Sequence, residues 1–259
     1  MSARNVAAKP FEVLIVGQKH GALMSAMLHL VPGFVAFLSY LYLFAPLSAA
    51  LGFPRQMAFV LMDVFVLIPI LLGSLFYFGH AKSGRWTIDG IVLNRKHLVG
   101  RRLVTILLTL SVYSAVAMAA FSWTHPALVQ HVFYWLPDSI LQLEKTDLVG
   151  YRFPVAHATR LASLAFVGVV GPLAEELYFR GFLLPRLSWM GAAASVRQAI
   201  LFAGYHFLSP WDFVWRVFVL VPAIYAVQRT QSVSLTIWGH CVGNTAGELL
   251  ALVGLFIRL

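Results

Sequence analysis

Cysteine is nearly missing from this chain: Cys241 stands alone, which excludes an intrachain disulfide and a cysteine-rich metal site. Charge is scarce too. Only 11% of the 259 residues are charged, where a soluble domain carries about 25%. Acids are the scarcest, 10 against 19 lysines and arginines, for a net charge of +9. Apolar residues make up 60% of the chain, and the mean hydropathy is +0.80. These shortages exclude an ordinary soluble domain. They imply an all-α polytopic transmembrane helix bundle, with length for about seven spans (six to eight). The basic excess does not point to nucleic acid, because in membrane proteins it sits in cytoplasmic loops and orients the helices. Membrane lipids are the expected surroundings. No repeat, low-complexity tract or soluble domain is visible.

The apolar runs predict spans near 23–45, 57–79, 103–123, 158–184, 195–209, 213–227 and 233–257. The first is too long for a signal-peptide core and lacks a clear cleavage site, so it reads as a retained span. A basic arm covers 1–22, with FEVLIV (11–16) at the interface. Pro32 should kink the first span, and neighbouring helices can satisfy the carbonyl it frees. His29 near that kink reads as a packing residue, and Asp63 as an interfacial one. The loop 80–102 carries Lys82, Arg85, Arg95, Lys96, Arg101 and Arg102 against Asp89, the strongest orientation signal in the chain. With 186–197 and 228–232 it defines one cytoplasmic face. Trp123 suits an aromatic belt, and 132–144 a partly interfacial outer element. Residues 1–154 read as added helices and 155–259 as the functional core.

Within that core the stretch Gly171–Arg186 buries Glu175, Glu176 and Arg180 in an apolar run. Ionisable groups so placed mark a functional site by default. Glu176 and Arg180 are i and i+4 and should pair as a clamp. Glu175 lies roughly 100° around the helix and is left as the free carboxylate. Phe202 and His206 share one spacing of four in the next run, and His240 and Asn244 in the last, with Glu248 continuing that stripe. Gly204, Gly239 and Gly243 would let helices approach closely there. Arg186, Arg197 and Arg229, taken as markers of the cytoplasmic surface, put Glu175, His206 and His240 at similar depths, roughly 14–16 Å at 1.5 Å per residue.

A carboxylate, two imidazoles and a carboxamide suit peptide hydrolysis. Glu175 with His206 can polarise a water, and His240 with Asn244 can donate to a developing oxyanion. Alternatively Glu175, His206 and His240 can hold a zinc ion and its water. No serine or cysteine has an evident base at a useful spacing. A buried polar network in a non-catalytic scaffold, or a proton or ion path in a transporter, accounts for the same residue types.

The pattern Glu175-Glu176-x-x-x-Arg180, Phe202-x-x-x-His206 and His240-x-x-x-Asn244 resembles the CPBP family, the CAAX proteases and bacteriocin-processing enzymes of membranes. The resemblance covers roughly 155–258. It implies an all-helical intramembrane endopeptidase, with Glu175 as the water-activating glutamate assisted by His206, and His240 and Asn244 as the oxyanion pair. Glu176 and Arg180 then look structural. The family has been described both as metal-dependent and as a glutamate-protease type, so zinc stays open. Its substrates would be prenylated CAAX tails, or leader and signal peptides. The short loops and basic inner face suggest a bacterial inner membrane, with the site opening toward the cytoplasm.

Overall fold

The computed structural model describes residues 15–17, 19–141, 143, 148 and 150–258, with side chains as far as Leu255. Most of the expected basic arm and of the run 11–16 lies outside the described residues, as do part of 132–144 and the side chain of Arg258.

The fold is all-α and polytopic. Long helices are α1 (Ala22–Ala50), α2 (Arg55–Ser83), α3 (Gly100–Phe121), α6 (Phe153–Met190) and α8 (Pro210–Thr230). Between α3 and α6 lie the short α4 (Thr124–His131) and α5 (Asp138–Leu141). The remaining two are α7 (Ala193–Tyr205) and α9 (Ser234–Arg258). Among the described residues, five helices are long and apolar enough to cross a membrane, where seven were expected. The difference lies in α7 and α9. The 13 residues of α7 rise only about 20 Å, short of a hydrocarbon core of about 30 Å. The 25 residues of α9 are long enough, and its side chains are described only as far as Leu255.

Prolines organise the contacts between these helices. Proline has no N–H to return to the carbonyl four residues earlier, and in lipid that carbonyl needs another donor. Pro32 frees the Leu28 carbonyl, and Tyr178 Oη donates to it at 3.0 Å. Pro222 frees Phe218, which accepts from Tyr113 Oη at 3.2 Å. Pro172 frees Gly168, which accepts from Thr245 Oγ1 at 3.2 Å. Pro185 frees Gly181, which accepts from the Leu93 amide at 2.8 Å. The re-satisfaction expected at Pro32 is thus found there and recurs at three more prolines. Helices α1, α2 and α6 also carry π-helical segments, at Tyr40–Phe44, Asp63–Leu67, Phe166–Val170 and Glu176–Leu183. The Phe166–Val170 bulge frees the Val167 carbonyl for Asn244 Nδ2 at 3.1 Å.

A coupled effect is expected at Pro32 and Tyr178. Tyr178→Phe should cost about 0.6–1.7 kcal/mol of stability, the range for hydrogen bonds between membrane helices. In a Pro32→Ala background the helix supplies its own donor, so the same change should cost much less. A double-mutant cycle on unfolding in detergent measures this, and equal costs in both backgrounds would refute it.

The basic segments gather at one end of the bundle, as the charge pattern predicts. The Lys96 amide donates to the Gln231 carbonyl at 2.9 Å, and the His20 amide to Arg186 at 3.0 Å. Arg197 reaches the Ala22 carbonyl at 2.6 Å. Arg186 itself is buried rather than at the surface. Its guanidinium donates to Ile91 and Phe182 carbonyls and lies 4.2 Å above the Phe182 ring centroid. The exposed Arg95–Asp89 pair, at 2.6 Å, adds little stability in water. At the other end, Asp212 accepts from His125 at 2.9 Å and from Trp215 Nε1 at 2.8 Å, tying α4 to the start of α8.

The close helix approach falls at other glycines than those expected. A Cβ at Gly243 would meet nothing within 4 Å, at Gly239 only a leucine methyl at 3.5 Å, and at Gly204 only side-chain carbons, of Leu30 at 3.6 Å and Phe213 at 3.9 Å. At Gly33 of α1 a Cβ would collide with the carbonyl oxygen of Tyr205, the last residue of α7. A glycine permits close packing only where another backbone faces it, and which face meets a neighbour is a property of the assembled bundle. His29, fully buried, packs on Phe179 with ring centroids 5.5 Å apart, which agrees with its packing role.

Candidate active site

Between these helices lies a cavity of about 700 Å³, lined by residues from every long helix and from α7. Glu175, Glu176, Arg180, Phe202, His206, His240 and Asn244 all line it, so the structure brings the three motifs to one place.

The acid side comes from α6. Its ladder turns π-helical at Glu176, immediately after Glu175, a local irregularity often found at functional sites. Glu176 and Arg180 pair with Nε 3.3 Å from Oε2, and their side chains are 2% and 1% exposed. The two atoms make an ion pair by distance, but neither has hydrogen-bond geometry to a partner. The Arg180 guanidinium also lies 3.9 Å above the Phe202 ring centroid, a favourable cation–π position. The expected clamp is therefore present. It has a third member, since Glu176 Oε1 lies 3.1 Å from His240 Nδ1.

Glu175 is not the free carboxylate that helix geometry suggests. Tyr205 Oη donates to its Oε1 at 3.0 Å, and His240 Nε2 lies 3.9 Å from its Oε2. His240 thus bridges the two glutamates, with Nδ1 toward Glu176 and Nε2 toward Glu175. Nδ1–H donation to Glu176 would leave Nε2 as the nitrogen facing Glu175 and the cavity.

His206 lies just past the end of α7, which stops at Tyr205 rather than continuing to 209. Its Nδ1 is 2.7 Å from the Phe202 carbonyl, so an Nδ1–H donating there leaves Nε2 as the acceptor. Its ring meets Phe202 edge-on at 4.8 Å, as the spacing of four predicts. No hydrogen bond joins His206 to Glu175 among the described residues; the two share the cavity wall. Asn244 spends one N–H on the Val167 carbonyl, which leaves its second N–H for a ligand.

Two residues of the site escaped the sequence reading. Tyr205 gave no motif signal, although it directly precedes His206. Asp63 gave a signal that was misread. It is not interfacial but 5% exposed, and it lines the same cavity as Glu175. An acid in a long apolar run fits a membrane border or a buried site equally well until the packing is known. Glu248 belongs to a neighbouring cluster, 3.8 Å from Arg160 and 3.4 Å from Gln56.

The zinc alternative does not fit this arrangement. Among the described residues, no three histidine, cysteine or acidic side chains are grouped so that they can hold a metal ion.

The fold and cavity define a class: an integral membrane protein of several apolar helices, with acids, imidazoles and a carboxamide gathered in a cavity between them. Residues 157–246, less than half of the chain, match the family model of the type II CAAX prenyl endopeptidase Rce1-like proteins. The resemblance to the CAAX proteases and bacteriocin-processing enzymes is thereby borne out for the segment carrying the motifs. The match supports a CAAX-type intramembrane endopeptidase in general terms. No curated protein and no solved structure matches the chain significantly.

Proposed function

We propose that this protein hydrolyses a peptide bond within the membrane, using a water activated by Glu175. The observation that carries this reading is the convergence of Glu175, His206, His240 and Asn244, from three separate stretches of chain, on one cavity. Glu175 is the base: it accepts a proton from the attacking water while Tyr205 Oη holds its other oxygen in place. His206 directs Nε2 at the same water. The oxyanion formed on the carbonyl takes hydrogen bonds from His240 Nε2, when that nitrogen carries a proton, and from the second N–H of Asn244. The proton gathered by Glu175 passes to the departing amine as the C–N bond breaks. Glu176 and Arg180 hold His240 and the helix in register.

The substrate is a CAAX-type tail, or a leader or signal peptide. The basic end of the bundle faces the cytoplasm of a bacterial inner membrane, and the substrate enters from that side. Residues 1–154 add helices around the motif-bearing core at 155–259, and α3 supplies a wall of the cavity.

Peptide-release profiling of membranes carrying wild type or Glu175→Ala tests the reading. We expect one or a few peptides that appear only with wild type. Identical profiles, with flux of a proton or solute in liposomes instead, would replace the hydrolase by a transporter.

A further inference from the structure

Asp63 is the one acid of the cavity for which the mechanism above has no use. It opens the π-helical segment Asp63–Leu67 of α2 and is 5% exposed. Its Oδ1 is buried with no hydrogen-bond partner, and no ion pair reaches the carboxyl among the described residues. Its Oδ2 lies 3.9 Å from where a Cβ on Gly171 would sit. Gly171 is one helical turn before Glu175, so the two acids look at the same side of α6, and the same Cβ position is 2.9 Å from the Phe166 carbonyl oxygen. Both line the cavity, as does Tyr205, which bonds Glu175.

A polar group so buried and unbonded is rare in native proteins and needs an explanation. Removing a carboxyl from water without a partner is costly. An extended peptide drawn into an apolar cavity has the converse need: its N–H groups leave water and require acceptors. The chain neighbours of Asp63 and Gly171 that line the cavity, Met62 and Pro172, are apolar.

We propose that Asp63 is a substrate-binding residue, whose carboxyl accepts a hydrogen bond from a backbone N–H of the bound peptide beside Glu175. This rests on the hydrolase reading for the identity of the ligand as a peptide. The interaction is with the backbone, so it fixes the register of the peptide against Glu175 and does not select a side chain. It is distinct from recognition of a lysine or arginine, which would need the full negative charge.

Asp63→Leu removes the acceptor at similar size, and Asp63→Asn keeps one oxygen. The readout is binding of dansylated peptides, a prenylated CAAX tail and several apolar leader segments, to the inactive Glu175→Gln protein in nanodiscs. We expect Asp63→Leu to weaken the peptide that binds best at least tenfold, and Asp63→Asn to stay within about threefold of its parent. In active protein, the same loss should appear in KM with kcat nearly unchanged. Unfolding temperatures alike in all variants exclude a purely structural effect. Binding unaffected by Asp63→Leu, or equally lost in Asp63→Asn, overturns the proposal, and so does failure of every peptide to bind. Peptides that bind in an Asp63-dependent way but are never cleaved by wild type would sink the hydrolase reading and leave the binding role standing.

Discussion

Glu175→Gln should lower peptide hydrolysis by about 10²–10⁴-fold, the usual contribution of a general base, while the protein stays folded. Glutamine keeps an oxygen for the Tyr205 hydroxyl, so the bond now measured at 3.0 Å survives the change. What disappears is the ability to take a proton from water. The loss should therefore fall on kcat, with binding of peptide to the variant nearly unchanged. Purified protein in nanodiscs, assayed with the peptide found by release profiling, gives both numbers. Activity within about tenfold of wild type would remove Glu175 from the chemistry and shift attention to Asp63 as the base.

Arg180→Ala should be the most destabilising single substitution in the core. Removing one member of a buried pair leaves a charge without compensation, at a cost of about 3–5 kcal/mol. Here the stranded group is Glu176, 2% exposed at its side chain, with His240 and the Thr236 hydroxyl still beside it. The Phe202 ring also loses the cation above it. We expect low yield and a strongly lowered unfolding temperature in detergent. The combination Glu176→Gln with Arg180→Met tests the cause. It removes both charges, and replacing a buried pair by neutral groups is often neutral or stabilising, so most of the stability should return. The amide oxygen of the introduced glutamine can still accept from His240 Nδ1–H. An Arg180→Ala protein as stable as wild type would show that the pair is not a clamp. A double variant as unstable as the single one would show that lost packing, not stranded charge, is the cause.

Much of this site was visible before any fold was known, for a physical reason. In lipid an ionisable residue is too costly to be incidental, so a chain with 10 acids draws attention to Glu175 and Glu176. Spacings of four within a helix are local. The Glu176–Arg180 pair and the edge-on contact of His206 with Phe202 therefore followed from the sequence alone. Local spacing failed where a contact came from another helix. It left Glu175 free, whereas Tyr205 and His240 reach it from α7 and α9. It placed Asp63 at a border when the residue is buried in the cavity. It expected Gly243 at a tight crossing, where nothing comes within 4 Å, and passed over Gly33, where the Tyr205 carbonyl does.

The prolines divide the two kinds of information most clearly. Which carbonyls lose their partner is set by chain position alone, since proline lacks an N–H wherever it stands. Leu28, Gly168, Gly181 and Phe218 could be named without coordinates. Which donor answers each of them, Tyr178, Thr245, Leu93 or Tyr113, depends on helices distant in the chain lying side by side. Residue types and short spacings thus determined the membrane setting, the local pairs and the orphaned groups. Only packing decided who meets whom across the bundle, because hydrocarbon solvates every apolar helix face alike and leaves the choice of neighbour to shape and hydrogen bonding.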